Sequence, residues 1–162
     1  MNGSTGNTAS NAPERPERRD TVMSLVTARR MLPLVERVVR DILEQQKTLD
    51  RLNPEQDRLD RHRRDLVWLE RQRRYQIREE VAVAEQHMRG ALDELQGLGL
   101  ALLDADTGRI GFPTIVNDRK AFFSWQPGEE GIRSWHFVEE STCRPIPAQW
   151  LKAGDISLMG KS

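Results

Sequence analysis

Apolar residues recur at alternating steps of three and four between residues 25 and 49. The positions on this face are Leu25, Ala28, Leu32, Val35, Val39, Ile42, Gln46 and Leu49. This spacing is typical of an amphipathic helix that buries one face along its whole length. Ser24 is a favoured N-cap residue, so the pattern predicts a helix from Ser24 to about Leu52. Pro33 lies inside the pattern and predicts a kink near residues 29–30, because proline removes a backbone donor.

A second apolar pattern predicts a second long helix, antiparallel to the first. We expect the chain to reverse at Asn53 and Pro54, because proline suits the first turn of a new helix. Residues 55–95 contain no proline, and Gly90 is their one glycine. The apolar face consists of Ile77, Val81, Ala84, Met88, Ala91, Leu95 and Leu98. The earlier part has fewer apolar residues in a different phase, so we predict a bend or short break near residues 68–71.

Strand-favouring residues follow Gly97 and Gly99, the glycines at which we expect the second helix to end. Turn-forming clusters separate four such runs, at residues 100–104, 110–116, 121–125 and 132–138. Because the connections are short, these runs predict a four-stranded antiparallel β-meander. Side-chain alternation places Trp135 on the face that meets the helices and His136 on the opposite face.

Together these elements predict an α+β fold in a single domain, residues 23–152. The expected parts of the chain are a disordered tail at 1–22, a helical hairpin at 23–98, a sheet at 99–140, an extended packed segment at 141–152 and a flexible tail at 153–162. The first tail is polar and rich in glycine and proline, so it cannot bury enough apolar surface to order itself.

The overall charge is balanced, with 25 basic and 25 acidic side chains. No global field therefore attracts nucleic acid or an anionic membrane, and an electrostatic role has to be local. Cys143 is the only cysteine, which excludes an internal disulfide and fits a reducing compartment. No apolar run approaches the length of a signal peptide or a spanning helix, so we expect a cytoplasmic protein.

Three segments of the chain have a recognisable order of features. They are SLVTARRMLPLVERVVRDIL at residues 24–43, ALDELQGLGLALLDADTGRIGFP at 91–113 and AFFSWQPGEEGIRSWHF at 121–137. In these segments the chain resembles the bacterial uncharacterised family called domain of unknown function 2203. The resemblance implies the helical hairpin with a small sheet, and it implies no activity. The family pattern has an aspartate in place of Gly111 and a cysteine in place of Ser124, so two of the family's candidate reactive positions are absent.

Eight arginines fall within residues 58–78. Arginine interleaved with aromatic residues suits phosphate contact and base stacking. The candidate binding residues are Arg61, Arg64, Arg71, Arg74, Trp68 and Tyr75. Carboxylates lie among the arginines at helical distances of three or four, which is equally typical of an exposed helix with ordinary ion pairs.

Ser124 and His136 are the weak candidates for catalysis, since both lie on the sheet face opposite the tryptophans. The sequence has no nucleophile elbow and no glycine-rich oxyanion turn, which favours a structural histidine instead. His136 and Cys143 are weak candidates for metal binding, but the spacing between them matches no common ligand cluster. We therefore expect neither a catalytic residue nor a metal or other cofactor.

The function expected from these features is that of a non-enzymatic cytoplasmic interaction module. Self-association through the helical hairpin is expected because the apolar face of residues 25–49 exceeds what one helix and a small sheet would cover. The expected partner is thus another protein or a second copy, and not a membrane. Two alternatives stay open: a nucleic-acid-associated factor that uses the arginine-rich helix, and a hydrolase or metal-dependent enzyme centred on His136.

Overall fold

The computed structural model describes residues 22–152, so the tails expected at 1–22 and 153–162 lie outside this range except for Val22. Two long helices form an antiparallel hairpin, and a five-stranded sheet and a short helix follow. The elements are α1 (Leu25–Arg61), α2 (Trp68–Gly97), β1 (Ala101–Asp104), β2 (Arg109–Val116), β3 (Arg119–Trp125), β4 (Ser134–Phe137), β5 (Arg144–Pro145) and α3 (Ala148–Lys152). The α+β class predicted from the sequence is confirmed.

Helix α1 begins where the sequence predicts. Ser24 is the N-cap, and its hydroxyl oxygen accepts a hydrogen bond from the backbone N–H of Thr27 at 3.1 Å. The N–H of Met23 donates to the carbonyl of Pro113 at 2.8 Å, which ties the start of the helix to β2. The helix continues through Pro33, as expected from the apolar pattern on both sides of this residue.

The turn predicted at residues 53–54 is wrong, because α1 also continues through Pro54. Proline removes the donor for the carbonyl four residues earlier, that of Asp50. Asp50 and Pro54 are both exposed, so water can hydrate this carbonyl. Leu52 and Leu59, on either side of the proline, are each 1% exposed. Burial of both side chains therefore favours a continuous helix over a turn.

The chain reverses direction at residues 62–67 instead. Leu66 anchors this connection, since it is buried among apolar residues of both helices. Helix α2 then begins at Trp68, so the bend expected near residues 68–71 is the start of the helix, and α2 is unbroken to Gly97. In the described part of the chain, neither this helix nor any other has an apolar stretch suited to crossing a membrane.

Two apolar clusters hold the molecule together. The main cluster lies between α1, the last third of α2 and one face of the sheet, and its fully buried sheet residues include Ile110, Phe112 and Phe123. A smaller cluster fills the hairpin near its turn and consists of Leu52, Leu59, Leu66, Ile77 and Val81. The α1 face expected to stay partly uncovered is buried as far as Ile42, and Leu49 packs against the smaller cluster. This face is therefore largely covered by other residues of the described chain.

The sheet is an antiparallel meander in the order β1-β2-β3-β4-β5. Asn117 and Asp118 join β2 to β3 with φ values of 51° and 60°, which are typical of a two-residue type I′ turn. Phe123 pairs with Trp135 on the helix side of the sheet, in agreement with the predicted alternation. Gly108 has a φ of 74°, and a Cβ there would lie 2.8 Å from a side-chain atom of α1. The turn before β2 can thus approach the helix closely.

The meander has five strands rather than the expected four. The additional strand, β5, pairs with Ser134 and Trp135 at the edge of β4. An edge position suits Pro145, which has no N–H to offer a further strand. The segment predicted as extended, residues 141–152, therefore contains a strand and the short helix α3. Trp150 of α3 packs on Trp135, with ring centroids 5.3 Å apart.

Candidate interaction surface at the hairpin tip

We define the hairpin tip as residues 57–78, which comprise the end of α1, the connection and the start of α2. Three consecutive large apolar side chains are in solvent there: Val67, Trp68 and Leu69 are 62%, 63% and 70% exposed. The preceding Leu66 is only 8% exposed. A helix that starts at this point can bury one side of the run only, and the other side stays in water.

Arg73 joins the two helices near the tip. Its Nε and Nη2 donate to Oε1 and Oε2 of Glu55 at 3.0 and 3.2 Å, and its Nη1 lies 3.6 Å from Oε1 of Glu80. The hydrogen bond from Arg73 lowers the pKa of the Glu55 carboxyl. The same bond raises the pKa of Arg73. Arg73 therefore serves to clamp the hairpin.

Arg74 and Arg61 are two of the candidate binding residues, and both contact neighbours within the chain. The Nε of Arg74 donates to Oδ1 of Asp60 at 2.7 Å, which bridges α2 and α1. The Nε of Arg61 donates to the backbone carbonyl of Asp57 at 3.2 Å. Arg74 is thus part of the helix pairing, whereas Arg61 is exposed and keeps the rest of its guanidinium in water.

Another group of arginines at the tip is exposed and forms no ion pair with any residue in 22–152. Its members are Arg58, Arg63, Arg64, Arg71 and Arg78. Successive helix residues are rotated by about 100°, so Arg71 and Arg78 share a face of α2 with Trp68 and Tyr75. Trp68 and Tyr75 are 63% and 64% exposed. The structure thus gathers Arg71, Trp68 and Tyr75, all predicted, on one face and adds Arg78.

Ser124 and His136 lie on the sheet face away from the helices, as predicted, but no hydrogen bond between them is present in the described chain. The Oγ of Ser124 accepts from Nη1 of Arg109 at 3.3 Å. The Nδ1 of His136 is 2.7 Å from the carbonyl oxygen of Phe137, so Nδ1 carries the proton and donates it. The His136 ring packs on Phe122 at 5.8 Å between centroids. Both candidate residues are engaged in contacts of the sheet.

Cys143 and His136 are not joined in a cluster of metal ligands. The Sγ of Cys143 accepts a hydrogen bond from Nη1 of Arg109 at 2.9 Å. Glu139 pairs with Arg119, and this hydrogen bond lowers the pKa of the Glu139 carboxyl. Among residues 22–152 no group of three or more histidines, cysteines and carboxylates is placed to hold a metal ion.

A groove of about 550 Å³ lies between α1 and the loop that follows β3. Its lining consists of Glu36, Arg40, Leu43, Glu44, Lys47, Trp125, Pro127, Gly128 and Glu129. Glu129 Oε2 is buried without a hydrogen-bond partner in the described chain. Acidic and basic side chains alternate along the α1 side of the groove, so its charge does not select one class of ligand.

A family model described as "Uncharacterized conserved protein (DUF2203)" matches residues 22–143. The match covers the hairpin, its tip and the first four strands. The chain belongs to this family. Comparisons with the curated proteins and with the solved structures returned no match.

In this DUF2203 protein, neighbouring side chains fill the space beside Gly111 on the sheet. A Cβ on Gly111 would lie 2.8 Å from Cδ1 of Phe122 and 3.1 Å from a methyl carbon of Leu103. Ser124 pairs directly with Gly111 across β2 and β3. Phe122 therefore occupies the space into which a side chain at position 111 would extend, and the Ser124 hydroxyl accepts a hydrogen bond from Arg109.

Sequence reasoning missed two residues of the tip in this DUF2203 protein, namely Val67 and Leu69, and it counted Arg78 in the arginine group without selecting it as a candidate. The signal for the two apolar residues is the run Leu-Val-Trp-Leu at positions 66–69. A helix cannot bury four consecutive apolar side chains on one face, so some of them had to be exposed. Arg78 could have been found from its spacing of three residues from Tyr75.

Proposed function

We propose that this protein is a non-enzymatic interaction module that binds a macromolecular partner through its hairpin tip. The observation that carries this proposal is the exposure of Val67, Trp68 and Leu69 at 62%, 63% and 70%. By contrast, Trp125 and Trp135 are only 2% and 7% exposed. Adjacent apolar side chains left in water are a common mark of a binding surface, and tryptophan is a frequent anchor of interfaces.

The charge of the tip supports a partner with acidic groups. Residues 57–78 contain eight arginines and four carboxylates, although the whole chain is neutral. Arg63, Arg64 and Arg71 are exposed and without an ion pair among residues 22–152. Exposed arginine next to tryptophan is typical of energetically important contacts.

The non-enzymatic part of the proposal is supported by Ser124 and His136, which bind Arg109 and Phe137 rather than each other. A dyad needs the histidine within hydrogen-bond reach of the nucleophile. The cytoplasmic location is supported by Cys143, a free thiol that contacts Arg109. A free thiol is stable in a reducing compartment.

Site-specific photocrosslinking in cells tests this function. A photoreactive phenylalanine analogue replaces Leu69 at the tip or, as a control away from α2, Val138, an exposed apolar residue that follows β4. We expect a discrete crosslinked product from position 69, and loss of that product when Trp68→Ala is added. If position 69 gives no product, or gives a product that Trp68→Ala does not change, the tip is not the binding surface.

A nucleic-acid partner is the second candidate, and the face formed by Trp68, Arg71, Tyr75 and Arg78 favours it. Trp68 and Tyr75 are about 10 Å apart along the helix axis, which equals about three base steps of a nucleic-acid strand. Aromatic side chains that stack on bases, with arginines between them for the phosphates, suit a single strand. Titration of RNA and DNA oligonucleotides at low salt, followed by tryptophan fluorescence, tests this candidate, with Trp68→Ala as the control. Unchanged fluorescence would exclude it.

A further inference from the structure

The charge of α2 changes sign along its length. Residues 68–78 contain four arginines and one carboxylate, whereas residues 79–97 contain five carboxylates and one arginine. The helix dipole favours the opposite order, with acidic residues near the N-terminus and basic residues near the C-terminus. The last turn of α2 has no basic residue. The order of charges along α2 is therefore unfavourable with respect to the dipole of α2. A neighbouring helix with the reversed order of charges would offset this unfavourable interaction.

The face of α2 directed away from α1 has a heptad spacing. Trp68, Tyr75 and Ala82 are seven residues apart and all three are exposed. They lie on the side of the helix opposite Ile77 and Leu95, which are buried at 0% and 2% exposure. Residues at this spacing occupy one of the two heptad positions at which paired helices contact each other, and the neighbouring positions of this face are the charged Arg71, Arg78 and Glu85. The outer face of α2 thus combines an exposed row of Trp68, Tyr75 and Ala82 with charged side chains, and it has no partner in the described chain.

Gly90 lies close to the same face, further along α2. Glycine in the interior of a helix destabilises it relative to alanine. A Cβ on Gly90 would meet nothing within 4 Å, so packing within the described chain does not require a glycine here. A small residue on a helix surface does allow the bulky side chain of another helix to approach closely.

We propose that α2 pairs with the α2 of a second copy of this chain, antiparallel and centred at Ala82. The inference rests on the proposed use of the hairpin tip for binding and names its partner. In this arrangement, each residue before Ala82 in one copy lies opposite the residue that is equally far after Ala82 in the other copy. Basic and aromatic residues of the first half of α2 therefore lie opposite acidic and small residues of the second half. The pairs are Arg71 with Asp93, Arg78 with Gln86 beside Glu85, and Tyr75 with Arg89 beside Gly90.

The antiparallel arrangement is the one that satisfies the charges. A parallel pair would place Arg71 against Arg71 and Glu85 against Glu85, and like charges in contact disfavour association. Arg71, Asp93 and Glu85 form no ion pair among residues 22–152, so these groups are free to bind the second copy. A nucleic acid would contact residues 68–78, but the five carboxylates of residues 79–97 would repel it.

Disulfide crosslinking tests the arrangement in the full chain, with Cys143→Ser as the background that removes the native thiol. In the antiparallel dimer, Ala82→Cys lies close to its own copy and forms a covalent dimer under mild oxidation. Tyr75→Cys lies about 21 Å from its copy, too far for a disulfide, and crosslinks only to Gly90→Cys in a mixture. Crosslinking of Tyr75→Cys to its own copy, with or without crosslinking of Ala82→Cys, would overturn the antiparallel arrangement.

Charge reversal followed by light scattering at tens of micromolar supplies the second test. Arg71→Asp and Asp93→Arg each remove a symmetric pair of contacts, and we expect each to weaken the dimer by about tenfold or more. The double variant exchanges the two charges and restores the dimer. Arg37→Asp, an exposed arginine of α1, is the matched control and leaves the dimer unchanged.

The outcomes separate this inference from the function on which it rests. A monomer at every concentration would overturn the pairing of α2, while a crosslinked product of another size from position 69 would leave the tip as a binding surface. Binding of RNA by a monomer that Arg71→Asp abolishes and Asp93→Arg does not restore would also overturn it, in favour of nucleic acid. If light scattering shows only a monomer and photocrosslinking from position 69 gives no product, the proposed function is removed as well.

Discussion

Arg73 of α2 holds both carboxylate oxygens of Glu55 of α1, at 3.0 and 3.2 Å. Two parallel hydrogen bonds of this kind fix the relative orientation of both groups as well as their distance. Glu55 follows directly after Pro54, at the point of α1 where the sequence predicted the chain to turn. The contact therefore depends on α1 continuing past the proline and on α2 returning alongside it.

The pKa of Glu55 gives a pH-dependent contribution to stability. Its carboxyl has a pKa below the ordinary value of 4.5, because Arg73 donates a hydrogen bond to it. A lowered pKa in the folded state means that the stabilisation is complete above the ordinary pKa and is lost as pH falls through the folded pKa. The contribution is small, because both side chains are partly in solvent at 34% and 39% exposure.

Glu55→Gln removes this titration, so we expect the variant to be slightly less stable than the wild type at about pH 7, by a difference that shrinks as the pH falls below the ordinary pKa of 4.5. Thermal unfolding at several pH values measures the difference. Glu36→Gln is the control, since Glu36 is an exposed residue of the same helix with no ion pair in the described chain. A difference between wild type and Glu55→Gln that grows toward acid pH would contradict the assigned contact.

The two helices could be predicted because their apolar residues keep a regular spacing over many turns. The position of the reversal could not, since residues 62–67 contain neither glycine nor proline while residues 53–54 contain a strong local turn signal. The packing of Leu59 and Leu66 with Ile77 decides the outcome, and these contacts join residues far apart in sequence. Burial of these side chains in the tertiary structure therefore outweighs the local turn preference of residues 53–54.

The candidate surface was predictable in composition but not in detail. From the sequence, Arg73, Arg74 and Arg71 are equivalent members of one basic run. Arg73 and Arg74 bind carboxylates of α1, whereas Arg71 is exposed to solvent. The difference arises because the register of α2 against α1 places only Arg73 and Arg74 at the contact between the helices. That register depends on the true position of the turn.

Pro54 provides a direct test of the continuous α1. A proline inside a helix costs about 3 kcal/mol relative to alanine, because it lacks the N–H and its ring contacts the preceding turn. We therefore expect Pro54→Ala to stabilise the protein, by up to about 3 kcal/mol, through a new hydrogen bond to the carbonyl of Asp50. Urea unfolding measures the gain. Gln56→Ala introduces alanine two positions away and is expected to have little effect.

The opposite result for Pro54→Ala would be informative about the fold. If residues 53–54 formed the turn, the fixed φ of proline would favour the turn, and alanine would destabilise the protein. A loss of stability would therefore contradict the continuous helix and restore the hairpin turn that the sequence alone predicts. Pro33→Ala should behave as Pro54→Ala does, since Pro33 is also exposed within α1.

Gly111 and Phe122 provide a test of side-chain packing on the outer face of the sheet. A Cβ at Gly111 would lie 2.8 Å from the Phe122 ring, so Gly111→Ala forces the ring to move and should cost about 1–3 kcal/mol. With Phe122→Ala in the background the cost should fall well below that. Urea unfolding of the two single variants and the double variant gives the coupling energy between the sites.

Additive effects in this cycle would mean that Phe122 does not fill the space beside Gly111. A large coupling would instead show that the Phe122 ring excludes a side chain at position 111. Gly111→Asp should destabilise the protein in the wild-type background, because the carboxylate would meet the ring and have to leave water. It should be tolerated better once Phe122→Ala has opened the site. That result would show that the Phe122 ring is what excludes a larger, ionisable side chain at position 111.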